Sequence, residues 1–177
     1  MARFVAFLRG INVGGRVVKK EKLQEAFLSL GFQNVVTYKQ SGNIIFETSA
    51  SIECARTKIE EKLRGMLGYD VAVFIRTIAQ LKSIIEIDPF KGQGKEGAGF
   101  LVTILTDPPP SLFASQLPLK IPKSTAQVIS AKDREVFSVT HGGGEGALPN
   151  PFVESKLKVK ATTRNMNVIR EIVEKYG

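Results

Sequence analysis

One histidine and one cysteine in 177 residues leave little room for metal or thiol chemistry. His141 and Cys54 cannot build a zinc site of the usual Cys/His kind. A lone cysteine closes no intramolecular disulfide, which points to the cytoplasm. A Ser-His-Asp triad would have to recruit His141, and no G-x-S-x-G elbow is present. The chain has neither a Walker ending of Gly-Lys-Ser/Thr nor a GxGxxG fingerprint. No apolar run approaches the roughly 18 residues of a membrane span. The N-terminus enters an apolar run directly, without the charged region, long apolar region and cleavage site of a signal peptide. Carboxylates paired at a deliberate spacing are also missing, since Glu60-Glu61 falls on a polar helix face. Nothing in the sequence calls for a cofactor, a metal or a membrane partner.

What is present is ordinary globular material, 43% hydrophobic and 24% charged, so a substantial core is expected. The length suits one compact domain or two small halves. The charge is +8, from 25 Lys and Arg against 17 Asp and Glu. Residues 1–76 carry twelve basic and seven acidic side chains, and residues 77–177 carry thirteen and ten. The excess is therefore spread over both halves with no basic tail, and a field of this sign favours anionic partners. Lysines that simply keep helix faces soluble would give the same count.

The passage RFVAFLRGINVGG at residues 3–15 is the most informative. Five consecutive apolar residues, 4–8, read as a strand buried on both faces. Such a strand lies mid-sheet, so Arg9 and Asn12 emerge at the sheet end, among glycines that allow tight turning and close approach. Apolar spacing then predicts a helix over residues 20–30, stopped by Gly31. Strand-like runs at 34–39 and 43–48 flank Gln40-Ser41-Gly42, a hairpin signal. A second helix over 51–67 ends at Gly68, and 71–76 is a last strand. Strand, helix, strand, strand, helix, strand is the split βαβ order, which puts the first and third strands at the sheet centre.

Residues 77–177 repeat that plan less cleanly. A connecting helix over 78–87 ends at Asp88-Pro89, and 91–99 is a glycine-rich loop. A strand at 100–105, a short helix from Pro108 to about Leu117, and a hairpin of 126–130 with 135–140 follow. Beyond the glycine loop 141–146 come a helix near 151–156 and a short strand at 157–161. Thr162 or Thr163 would cap a final helix over 164–176, with Met166, Ile169, Ile172, Val173 and Tyr176 on its apolar stripe. The expected fold is α+β: tandem ferredoxin-like βαββαβ units with antiparallel sheets and a C-terminal helix, divided into residues 1–76 and 77–177.

Four polar clusters stand out. Arg9 and Asn12 with Gly14-Gly15 form an anion cradle if their backbone N–H groups converge. Turn geometry and a helix carboxylate for Arg9 explain the same residues. Ser41, Gly42 and Asn43 are good hairpin chemistry. Because the strand ending at Arg9 and the antiparallel one starting at Asn43 are neighbours, the two clusters should meet. Thr163, Arg164 and Asn165, read as a helix start, make a second anion cradle, although capping alone accounts for the threonines. His141 and its glycines suggest a phosphate loop, but an exposed loop histidine is the commoner meaning. An RNA-recognition sheet would need exposed aromatics on the first and third strands. Phe4, Phe7 and Phe46 sit there, without the usual pattern and in strands that look covered on both faces.

The passages LRGINVGG at 8–15, TYKQSGNIIF at 37–46, DPF at 88–90 and TTRNMN at 162–167 together resemble the bacterial domain-of-unknown-function family 1697. The resemblance spans nearly the whole chain and implies two ferredoxin-like halves, with no assigned activity to carry over. Met166 stands where members usually show Trp, and Val168 where Thr is frequent, whereas Arg164 and Asn165 match.

The leading functional expectation is a small anionic ligand, nucleotide-like or phosphorylated. Arg9 and Arg164 would neutralise charge, Asn12, Ser41 and Asn43 would orient it, and Gly14-Gly15 would offer backbone N–H groups. Two alternatives stay open: nucleic-acid binding through a basic surface, and a group-transfer enzyme in which only Ser41, Tyr38, Lys39 or His141 could move a proton.

Overall fold

The computed structural model describes every residue except 13, 16, 40, 41, 95, 96 and 142–148. The described chain divides into two units, Met1–Lys82 with Tyr176–Gly177, and Ser83–Lys175.

In the first unit the elements run β1 (Ala2–Leu8), α1 (Lys20–Leu28), β2 (Gln33–Tyr38), β3 (Asn43–Thr48), α2 (Ile52–Leu67) and β4 (Val73–Thr77). The sheet order is β2-β3-β1-β4, every pair antiparallel, so β1 and β3 are central. Apolar continuity is the reason: Phe4 through Leu8 are all buried, as expected of a strand covered on both faces. Phe4, Ala6, Leu8, Ile44 and Phe46 face the helices and meet Leu23, Phe27, Ala55, Ile59 and Leu63. On the other face Val5, Phe7, Ile45 and Phe74 are also buried. The aromatics of β1 and β3 are therefore core residues and offer no exposed stacking platform.

Local signals set the helix ends. Ser51 Oγ accepts the Cys54 N–H (3.2 Å) at the start of α2, and Gly68, at φ +76°, closes its end by donating to Arg64 O (2.9 Å). Position 19 caps α1 without a side-chain hydrogen bond.

Glu47, on β3, ties that strand to its two neighbours, β2 and β1. Its carboxylate accepts from Asn34 Nδ2 (2.8 Å) and Arg3 Nε (2.9 Å). The Asn34 hydrogen bond first, and then Arg3, holds its pKa below the ordinary value of 4.5. A lowered native pKa means the unfolded chain binds more protons, so this contribution is complete above the ordinary glutamate range. It fades as pH falls through the native value. Glu47→Gln is expected to flatten the acid limb of stability against pH, read from urea midpoints below pH 4.5. An unchanged limb would mean that Glu47 is unpaired in solution.

The second unit continues from α3 (Ile78–Glu86), which begins in the first, through β5 (Gly99–Leu105), α4 (Ser111–Ser115), β6 (Leu119–Lys120), β7 (Ala126–Lys132) and β8 (Glu135–Thr140). It then runs through α5 (Asn150–Leu157) and β9 (Ala161–Asn165) into α6 (Met166–Tyr176). Its antiparallel sheet has the order β6-β7-β8-β5-β9. Leu105, Phe113, Val128, Val136, Val153 and Ala161 cluster on the α4 and α5 side. On the opposite face Phe90 stacks on Phe100 (4.8 Å between ring centroids) and meets Phe137 edge-on (5.9 Å). The Asp-Pro-Phe passage thus anchors its loop by its aromatic ring.

Two expectations need correction here. Residues 157–161 do not form the last strand, because α5 runs to Leu157 and the strand is β9. The final helix starts at Met166, not Arg164. Thr162 and Thr163 are β-branched and pair with β5 (Ile104↔Thr162, Thr103↔Thr163), so a ladder claims residues that looked like caps. The cap is Asn165, whose Oδ1 accepts the Asn167 N–H (2.9 Å). The two-residue strand β6 was too short to leave a sequence signal. Among the described residues, no helix is long and apolar enough to cross a membrane.

Candidate functional site

The site begins where β1 stops. Leu8 N donates to Gly42 O (2.8 Å) and Arg9 N to Ala72 O (3.0 Å), so the strand end is held between the β2–β3 hairpin and the segment before β4. Ile11, 5% exposed, plugs into the core and pins the loop that follows. Asn12 adopts φ +59°, and its Oδ1 accepts the Val18 N–H (2.8 Å), closing the stretch that contains Gly14 and Gly15. Asn43 is buried, and its Nδ2 donates to Tyr38 O (3.1 Å) across the hairpin base. Both asparagines therefore spend one group on shaping a loop.

The two loops meet, as antiparallel pairing demanded. The close approach is made at Gly42, at φ +68°: a Cβ there would lie 3.1 Å from Leu8 Cβ and 3.4 Å from Leu8 O. Gly14 and Gly15 have open space around them and serve positive φ alone. A small crevice opens at the junction, lined on its polar side by Asn12, Lys20, Thr37, Lys39, Gly42 and Asn43. About 10 Å³ is open to the centre of a water molecule, enough for one. Among the described residues, two lysines and no carboxylate line it. The Lys39 ammonium lies 5.6 Å from the Tyr38 ring centroid. Arg9 stands at this sheet end by its backbone bond to Ala72, half-buried. Ser41 lies outside the described residues. Sequence reasoning missed Lys20 as a lining residue; its place at the first helical position after the loop was the available signal.

Thr163, Arg164 and Asn165 belong to the second unit and have different surroundings. Thr163 Oγ1 shares a hydrogen bond with Thr103 Oγ1 (2.8 Å) and another with Asn150. Arg164, 9% exposed, donates to Thr162 Oγ1 and Thr163 O, both at 2.9 Å. Burial alone lowers its pKa to about 10. The anion cradle expected at a helix start is not formed, because these residues are strand and Asn165 fills the cap position. On the same sheet Ser138 is fully buried, and its Oγ has no hydrogen-bond partner among the described residues. His141 follows β8, and its glycine loop lies outside the described residues. Among the described residues, no group of three His, Cys, Asp or Glu side chains could hold a metal ion.

Comparison with solved structures finds similarity to a conserved bacterial protein, SP0830 from Streptococcus pneumoniae. Identity is 20% and the TM-score 0.72, over 99% of this chain and 98% of that one. At that identity the likeness speaks for the fold. Among curated proteins nothing matches. A family pattern described as "Protein of unknown function (DUF1697)" matches residues 1–137, a span that holds the crevice and stops short of the 162–167 passage. With well over half of its length matched, the chain belongs to the DUF1697 family of proteins of unknown function.

Proposed function

We propose that this protein binds a small anionic ligand, phosphorylated or nucleotide-like, at the end of the first sheet where the loop after β1 meets the β2–β3 hairpin. The observation that carries the reading is the crevice lined by Lys20 and Lys39 and, among the described residues, by no carboxylate. With room for one water, it takes a single oxygen of the ligand, and the remainder rests on the rim formed by Arg9, Asn12, Gly14-Gly15 and the hairpin. Thr163, Arg164 and Asn165 belong to the second unit, where Thr163 Oγ1, an Arg164 N–H and Asn165 Oδ1 make the hydrogen bonds described above, and the reading does not draw on them. The same reading treats both units as variations on a ferredoxin-like plan and the setting as cytoplasmic.

Thermal unfolding against inorganic phosphate, pyrophosphate and a set of nucleotides tests it. A ligand at 100 times its dissociation constant adds about 2.7 kcal/mol, hence roughly 5–11 °C for a chain of this size. The shift should persist at moderate salt and vanish in Lys20→Ala/Lys39→Ala and in Arg9→Ala, while each variant alone melts near the wild type. No shift from any anion, or a shift the variants retain, would refute the site. Unfolding of Arg9→Ala alone would make Arg9 structural.

A further inference from the structure

Three exposed or half-buried arginines are each paired with a carboxylate: Arg3 with Glu47 (2.8 Å), Arg56 with Glu53 and Arg64 with Asp70 (both 2.5 Å). One end of the second sheet differs. There β5 and β7 finish and β8 and β9 begin, and the backbone bonds Leu105 N to Arg134 O (2.8 Å) and Thr106 N to Lys160 O (3.2 Å) place these residues side by side. Lys132, Arg134, Lys156, Lys158 and Lys160 collect at this end, and the four lysines are exposed. None of their ammonium groups is held in an ion pair among the described residues, although that of Lys156 lies 5.9 Å from the Phe152 ring.

Four carboxylates share the region, and two of them are turned inward. Buried Glu135 accepts the Arg134 N–H (3.2 Å), and Glu154 accepts the Ala161 N–H (2.8 Å). Only Asp107 and Asp133 are exposed. From these observations we infer that this end of the second unit is a contact surface for the phosphate backbone of a nucleic acid, read without regard to sequence.

Spacing favours a polymer over a small anion. Lys132 and Lys160 flank four neighbouring strands, β7-β8-β5-β9, at roughly 4.8 Å each, a span of about 14 Å. A compact anion reaches one or two of those ammonium groups. A strand with one phosphate per roughly 3.4 Å passes about four in the same length. An anionic membrane is a poorer match, because of the large exposed hydrophobic residues Met1, Val17, Leu28, Val36 and Leu112 only Leu112, on α4, belongs to the second unit, and one such side chain anchors poorly in a bilayer. The surface is built from residues of the second unit only, and the inference stands or falls independently of the crevice in the first.

The test is fluorescence anisotropy of labelled single- and double-stranded oligonucleotides across a salt series. Three neutralised phosphates predict a log–log slope of about −2 to −3, or a roughly 15- to 65-fold loss of affinity between about 50 and 200 mM salt. Lys156→Glu/Lys158→Glu/Lys160→Glu should weaken binding at least about tenfold at low salt and flatten the slope by about 2. Lys22→Glu/Lys58→Glu/Lys62→Glu, the same change of net charge on exposed positions of α1 and α2, should change it by less than about threefold. Lys→Gln at positions 156, 158 and 160 serves if the glutamates unfold the chain, and should weaken binding in the same direction. No binding at low salt, equal loss in both triple variants, or capture of anionic vesicles alone would overturn the inference.

Discussion

Phe46→Ala is expected to cost about 3–5 kcal/mol, the largest single-residue loss in the molecule. Phe46 is fully buried in central strand β3 and touches three other rings, with centroids 5.8 Å from Phe4, 5.5 Å from Phe27 and 4.8 Å from Phe32. Those contacts join β1, α1 and the segment leading into β2, so the truncation leaves a cavity no single element can close. At roughly 2–4 °C per kcal/mol the melting temperature should fall by roughly 6–20 °C. Phe46→Leu keeps most of the volume and loses the ring–ring terms, so about 1–2 kcal/mol is expected. Urea unfolding of both variants checks the pair. A loss under about 1 kcal/mol for the alanine variant would show that the cluster is not a packing centre.

The second large effect is expected at Gly42. Alanine there carries two penalties: positive φ, about 1–2 kcal/mol for a residue with a Cβ, and a new methyl 3.1 Å from Leu8 Cβ. Together they should cost about 2–3 kcal/mol. Gly68→Ala is the internal control, since φ is +76° and nothing lies within 4 Å of its missing Cβ. It should cost about 1 kcal/mol, leaving the difference to the close approach. The Gly42 substitution also presses on the Leu8–Gly42 hydrogen bond that joins the two loops. Still folded, it should lose the thermal response to anions that Gly68→Ala keeps. Equal losses from the two substitutions would mean that the loops part without strain.

These residues show where reading a sequence succeeds and where it stops. The ends of α2 were legible because Ser51 and Gly68 act on their own helix, within one turn. Burial of β1 on both faces was legible because five apolar residues in a row leave no polar face to turn outward. Gly42 looked like hairpin punctuation; that it must also admit Leu8 depends on a strand more than thirty residues earlier. Residues 162–163 read equally well as helix caps, and only their pairing with β5, some sixty residues away, made them strand.

By itself the sequence determined the α+β class, the central position of β1 and β3, and the meeting of the Arg9 loop with the hairpin at one sheet end. All three follow from local periodicity and from the direction of antiparallel strands. Tertiary structure alone decided which polar groups are available at that end. Asn12 and Asn43 each commit a group to loop shape, Lys20 and Lys39 share a crevice that no carboxylate lines among the described residues, and Arg164 is buried in a strand. The reason is physical: strand order is set by which residues are apolar, whereas the role of a polar side chain is set by the partner that folding brings within about 3 Å of it.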